Sequence, residues 1–146
     1  MILTIFSFIF VIGVLVFFHE MGHFLAAKSV GVRVEKFYLG FNFFGLGLKK
    51  MYKGTEYGIG LFPLGGYVKL AGIIDESLDT ECTGAPDEFK SKNMFQKIWI
   101  MSAGVIMNFL LAILIFAHLT YHNGIDDPDH RAVVGQVYSE YPAEKL

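Results

Sequence analysis

The chain has 146 residues, a net charge of -2, 53% hydrophobic residues and 15 phenylalanines, with a mean hydropathy of +0.47. That composition excludes an ordinary soluble domain and favours a membrane protein. No basic run interleaved with aromatics is present, so nucleic acid is not expected as a partner, and the single cysteine, Cys82, has no second thiol for a disulfide or a thiolate metal site.

Residues 1–18, MILTIFSFIFVIGVLVFF, carry no charged side chain. A cleaved secretory signal would have a basic leader and a small-residue cleavage site, whereas the first basic residue here is Lys28. A retained helix is therefore expected over about Ile2 to Val30, longer than the ~20 residues a span requires. Within it, His19 and His23 stand four residues apart, which on a helix places both imidazoles on one side, one turn apart. That spacing suits two ligands of a zinc ion. Glu20, beside the first of them, has the reach to take a proton from a zinc-activated water, so the pattern His19-Glu20-x-x-His23 points to metal-assisted hydrolysis. Ionisable groups inside an apolar helix are costly to hold in lipid, which favours a functional site. The competing reading is three hydrated residues at the helix end, since His19 lies about 27 Å along the helix, near the boundary of a ~30 Å core.

Residues 32–74 read as a membrane-associated β region. Eight glycines between 40 and 66 (40, 45, 47, 54, 58, 60, 65, 66) oppose helix and favour short strands. A hairpin is expected from Leu46 to Tyr52, a turn at Lys53-Gly54-Thr55, and Glu56 to Phe62. Residues 75–93 form a polar, acidic stretch expected to be a flexible cytoplasmic loop. A second span follows over about Ile98 to Tyr121, within a second transmembrane helix assigned to 94–121. Residues 122–146 read as an extracytoplasmic linker leading to a first strand at Ala132 to Tyr138. Ten of the twelve Lys and Arg residues lie between or beside the spans, leaving Arg131 and Lys145 beyond. The positive-inside rule thus places the middle region in the cytoplasm and both chain ends outside.

In the second span, Ser102-Ala103-Gly104 offers small side chains for close helix approach, and Asn108 lies one turn after Gly104 on the same face. Asn108 is either a helix-packing amide or a residue that orients the site. His118 and His122 repeat the four-residue spacing without an adjoining Glu. With Tyr121 beside them, an interfacial, non-catalytic role is expected.

The run FHEMGHFLAAKSVGVRVEKFYLGF, then GIGLFPLGGYVKLAG, then SAGVIMNFLLA closely resembles the site-2 protease family of intramembrane zinc metalloproteases, in particular the bacterial sigma-factor-regulating type with a PDZ region. The resemblance runs from Phe18 to the incipient PDZ strand. It implies two transmembrane helices around a glycine-rich β-hairpin region, the start of a PDZ-like domain, and a location in the bacterial inner membrane. It implies Zn2+ held by His19 and His23, Glu20 as the catalytic base, and a membrane-spanning protein substrate, such as an anti-sigma factor, cleaved within the lipid bilayer. In the family the third zinc ligand is an Asp in a Leu-Asp-Gly motif on a later span; that motif is absent from this sequence, which matches an N-terminal part that is inactive alone. The family's Gly-x-x-x-Asn pattern is met by Gly104 and Asn108, with Val105 where the family commonly has proline. The resemblance also implies that Gly58, Gly60, Gly65 and Gly66, with Pro63-Leu64 and Tyr67, hold an unwound substrate strand by β-addition. A purely structural hairpin is the alternative for that region. For the whole chain the rivals are a non-catalytic membrane scaffold or adaptor, and a metal transporter, which two spans are too few to enclose.

Overall fold

The structure is a computed structural model that describes residues 1–41, 47–60, 62–73 and 84–124. The chain divides into two units, residues 1–115 and 116–146, with the division inside the last helix. The expected PDZ strand at 132–138 and the first part of the acidic stretch, 75–83, lie outside the described residues.

Helix α1 spans Ile2–Ser29. At 1.5 Å per residue it is about 42 Å long, more than the ~30 Å hydrocarbon core of a bilayer. Its first half exposes large apolar side chains, among them Ile2, Leu3, Phe6, Phe8 and Phe10, as a lipid-facing surface would. Its buried residues, Gly22, Ala26 and Ala27, are confined to the last third. The helix stops one residue short of the sequence expectation because Gly31 takes a left-handed φ of 69°. The Gly31 amide bonds to the Lys28 carbonyl and the Val32 amide to the Ala27 carbonyl. Those two bonds make a Schellman motif and put Val32 back onto Ala27 in the core.

Four strands follow: β1 Val34–Phe41, β2 Leu48–Tyr52, β3 Thr55–Ile59 and β4 Phe62–Leu70. Their order in the sheet is β2-β3-β1-β4. β2 and β3 are antiparallel, β1 and β3 parallel, and β4 antiparallel to β1. Lys53 and Gly54 alone connect β2 to β3, and both have positive φ (46° and 79°), the geometry of a type I′ turn. Thr55, assigned to the turn from sequence, instead opens β3 opposite Tyr52. Its hydroxyl is buried and donates to the Val34 carbonyl at 2.8 Å, an attachment that needs the parallel strand beside it. The strand expected to run on to Phe62 ends at Ile59, and Phe62 begins a separate strand at the edge of the sheet, a position that tolerates Pro63.

The sheet packs on α1 through edge-to-face ring contacts of Phe17 and Phe24 with Phe37 and of Phe24 with Tyr57. Below these rings the core is Ala26, Ala27, Val32, Val34, Leu70, Ile100 and Ala103. Burying such aliphatic groups contributes about 25 cal/mol per Å² removed from water.

Residues 84–93 depart from the flexible loop expected for 75–93. The Arg33 amide bonds to the Asp87 carbonyl, and the Phe89 amide to the Ala71 carbonyl. Glu88 is buried, and Phe89–Ser91 forms a turn of 3₁₀ helix. Helix α2 then spans Met94–Asn123, so it starts with the helix assigned to 94–121, four residues before the apolar span at Ile98, and runs two residues further. A reciprocal cap explains the start: the Asn93 side chain accepts from the Gln96 amide at 2.9 Å, and the Gln96 side chain accepts from the Asn93 amide at 3.1 Å. Both helices are long and apolar enough to cross a membrane.

Candidate metal centre

Helical spacing brings His19 and His23 of α1 together, with their Nε2 atoms 3.1 Å apart and ring centroids 4.8 Å apart. Three groups of α2, each four residues from the next and hence on one face, meet these rings: Ile100, Gly104 and Asn108. The His23 Nδ1–H donates to the Ile100 carbonyl oxygen at 2.7 Å. Asn108 Nδ2 lies 3.5 Å from His19 Nδ1. Between them Gly104 faces the imidazoles directly: a Cβ there would sit 2.5 Å from His23 Nε2 and 2.7 Å from His19 Nε2.

Small residues make this approach possible. A Cβ on Gly22, between the two histidines in sequence, would meet the Ala103 carbonyl oxygen at 2.4 Å. Gly22 and Gly104 therefore let the two backbones come close, as small residues do in membrane helix pairs. The Trp99 indole N–H of α2 also donates to the Ser29 hydroxyl of α1 at 3.3 Å.

Glu20 points toward the sheet. Its carboxylate lies beside the Val68 backbone amide and within Coulombic reach of both imidazoles. Gly66, two residues before Val68 on β4, leaves room for it; a Cβ there would meet Glu20 Cγ at 3.1 Å and the Tyr38 carbonyl oxygen at 2.8 Å. The structure thus brings Gly66 and Asn108 to His19, Glu20 and His23. Gly65 is buried on β4. Gly58 and Gly60 meet β1 instead: Gly58 lies beneath the Tyr38 ring, and the Gly60 amide bonds to the Leu39 carbonyl at 2.8 Å.

The donor set fits a divalent cation such as zinc. Two imidazole nitrogens bound at ~2.0–2.1 Å in tetrahedral geometry lie about 3.3–3.4 Å apart, close to the spacing found here. His23 already commits its Nδ1 proton to a carbonyl, leaving Nε2 free to ligate. Gly104 is the cradle that a methyl group would fill. Among the described residues, no group of three or more His, Cys, Asp or Glu side chains converges. In the second unit His118 and His122 stack edge to face at 4.5 Å, both exposed.

Residues 7–144 match the sequence profile of peptidase family M50. This chain belongs to peptidase family M50. A Rickettsia conorii protein provisionally named a zinc metalloprotease is 37% identical over 144 residues, covering 98% of this chain and 39% of its own length. A Yersinia pestis relative, protease RseP, is 41% identical over 135 residues, covering 90% and 28%. A Helicobacter pylori protein, also provisionally named a zinc metalloprotease, is 40% identical over 116 residues, covering 76% and 31%. The M50 chain thus spans less than half the length of these relatives. The family is the one its motifs resemble, a family of membrane zinc metalloproteases.

Sequence reasoning missed three groups at this M50 site. Ile100 acts through its carbonyl and Val68 through its amide, and a backbone group has no signature in residue type. Gly22 was overlooked, although its place between the two histidines marks the face that needs room.

Proposed function

We propose that this chain supplies two zinc ligands, His19 and His23, and the general base, Glu20, of an intramembrane endopeptidase. The observation that carries the reading is the convergence of the two Nε2 atoms at 3.1 Å beneath Gly104, with the Glu20 carboxylate held beside them by β4. When bound, zinc would supply Lewis acidity to the scissile carbonyl and to the attacking water. The protein's own groups do the rest. Glu20 takes the water's proton and returns it to the departing amine. Val68 fixes the direction in which the carboxylate presents its free oxygen. Ile100 keeps the His23 ring in the tautomer that ligates.

The third ligand, on this reading, is an Asp of a Leu-Asp-Gly motif, which this sequence does not contain, and the chain alone is inactive. The substrate is a membrane-spanning protein, such as an anti-sigma factor, held near the site by the glycine-bearing edge of β4 at Gly65 and Gly66. Gly58 and Gly60 shape the sheet behind it. Asn108 orients the site. The protein resides in the bacterial inner membrane, with residues 32–93 on the cytoplasmic side and a PDZ-like domain begun outside after α2. The test is Glu20→Gln in the complete protein. Zinc stoichiometry should stay at one while cleavage of a membrane-spanning substrate falls by at least ~10²-fold; retained cleavage would overturn the assignment.

A further inference from the structure

Asn108 is half-buried on α2, and its Oδ1 is buried without a hydrogen-bond partner among the described residues. A buried acceptor left unpaired costs about 1–3 kcal/mol, so its persistence calls for a reason. The surrounding distances supply one, because with neutral rings they define a single direction of hydrogen bonding.

The Ile100 carbonyl can only accept, so His23 carries its proton on Nδ1 and a lone pair on Nε2. The 3.1 Å contact between the two Nε2 atoms then requires His19 to donate from Nε2. His19 Nδ1 is left with a lone pair, and it faces the Nδ2 donor of Asn108 at 3.5 Å. The chain of donors runs Asn108 to His19 to His23 to Ile100, with every link matched.

Metal ligation inverts one link. A zinc ion on Nε2 of His19 needs the lone pair there, so the ring must carry its proton on Nδ1, opposite the Asn108 donor. Two donors would then oppose each other. A half-turn of the carboxamide removes the conflict, since it presents Oδ1, the acceptor with no other partner, to the new Nδ1–H and turns Nδ2 away.

We propose that Asn108 is a two-position positioning residue whose carboxamide turns over when His19 changes tautomer, coupling metal loading of α1 to α2. The proton leaves Nε2 and is regained at Nδ1 through water, so His19 releases no net proton. This rests in part on the zinc reading above; the tautomer of the metal-depleted protein does not.

The experiment uses the intact membrane protein in detergent, with ring 15N shifts of its histidines recorded after chelation and again with one equivalent of zinc, alongside zinc affinity by chelator competition. His19 should be protonated at Nε2 after chelation and at Nδ1 with zinc. Asn108→Leu, which can do neither job, should weaken zinc binding 10–100-fold. Asn108→Asp, which only accepts, should place a proton on His19 Nδ1 even without metal and bind zinc at least as tightly as the wild type. The proposal is overturned if chelated wild type already carries the proton on Nδ1, if Asn108→Leu binds zinc normally, or if the Asp and Leu variants behave alike. Unchanged zinc binding in His19→Ala would instead remove the metal reading, while the ring shifts would still decide the Asn108 contact.

Discussion

The His23 ring of α1 donates from Nδ1 to the backbone carbonyl oxygen of Ile100 in α2, 2.7 Å away. That bond leaves Nε2 as the ring's basic atom, and it joins the two helices at the place where the second imidazole and Gly104 also meet. The orientation of the histidine pair is therefore a property of the helix crossing as well as of α1.

Gly104→Ala should disrupt the centre with little change to the rest of the fold. Its Cβ would fall within 2.7 Å of both Nε2 atoms, where the ring edges must swing away from each other. Zinc affinity, measured by chelator competition, should fall by at least about tenfold. Normal affinity would mean that the space beneath Gly104 is not where the metal sits.

Gly22→Ala acts on the helix pair itself. The obstructing atom, 2.4 Å from the new Cβ, is a backbone oxygen that has no rotamer to escape into. Overpacking of this kind costs about 1–3 kcal/mol, and thermal unfolding in detergent should show it. Gly13, where a Cβ meets nothing within 4 Å, is the control: Gly13→Ala should leave stability unchanged or raise it by up to about 1 kcal/mol.

Tyr38 gives the sheet a dependence on alkaline pH. Its hydroxyl donates to the Glu56 carboxylate at 2.5 Å, and that bond, with burial and the carboxylate's charge, pushes the phenol up from 10.0 to about 12. Because the folded-state value is raised, the contribution is fully present below about pH 10 and is lost as pH rises toward 12. Phenolate absorbance should show one tyrosine titrating near 12 in the wild type and missing from Tyr38→Phe. A loss of stability between pH 10 and 12 that is the same in both proteins would refute it.

Arg33→Ala should be nearly silent. The Arg33–Asp87 ion pair, at 3.2 Å, joins side chains that are 53% and 45% exposed, and such pairs contribute at most about 1 kcal/mol. The 2.9 Å bond from the Arg33 amide to the Asp87 carbonyl survives the substitution. A loss of more than about 1 kcal/mol in chemical denaturation would show that the guanidinium has a second role.

The two long helices and the meeting of His19 with His23 were legible because each depends on one segment: an unbroken apolar run, and a spacing of four on a helix. The helix assigned to 94–121 starts where α2 starts, although the apolar run itself opens only at Ile98; the cap from Asn93 and Gln96 that fixes this start was readable in principle but was not read. The parallel pairing of β1 with β3 was not legible. It depends on a register between distant segments, and its strongest local sign, Thr55 tied to the Val34 carbonyl, resembles a turn residue when read alone. The contacts of Ile100 and Val68 were beyond reach because backbone atoms belong equally to every residue type.

The bond from His23 to Ile100 spans 77 residues of sequence, and the contact from His19 to Asn108 spans 89. At a synthesis rate of about 5–20 residues per second, the histidines leave the ribosome roughly 4–15 s before the carbonyl that orients His23. During that interval the newborn chain carries both imidazoles without the geometry to use them. The histidine pair is thus oriented late, once the second helix has arrived, and the delay is written into the order of the chain.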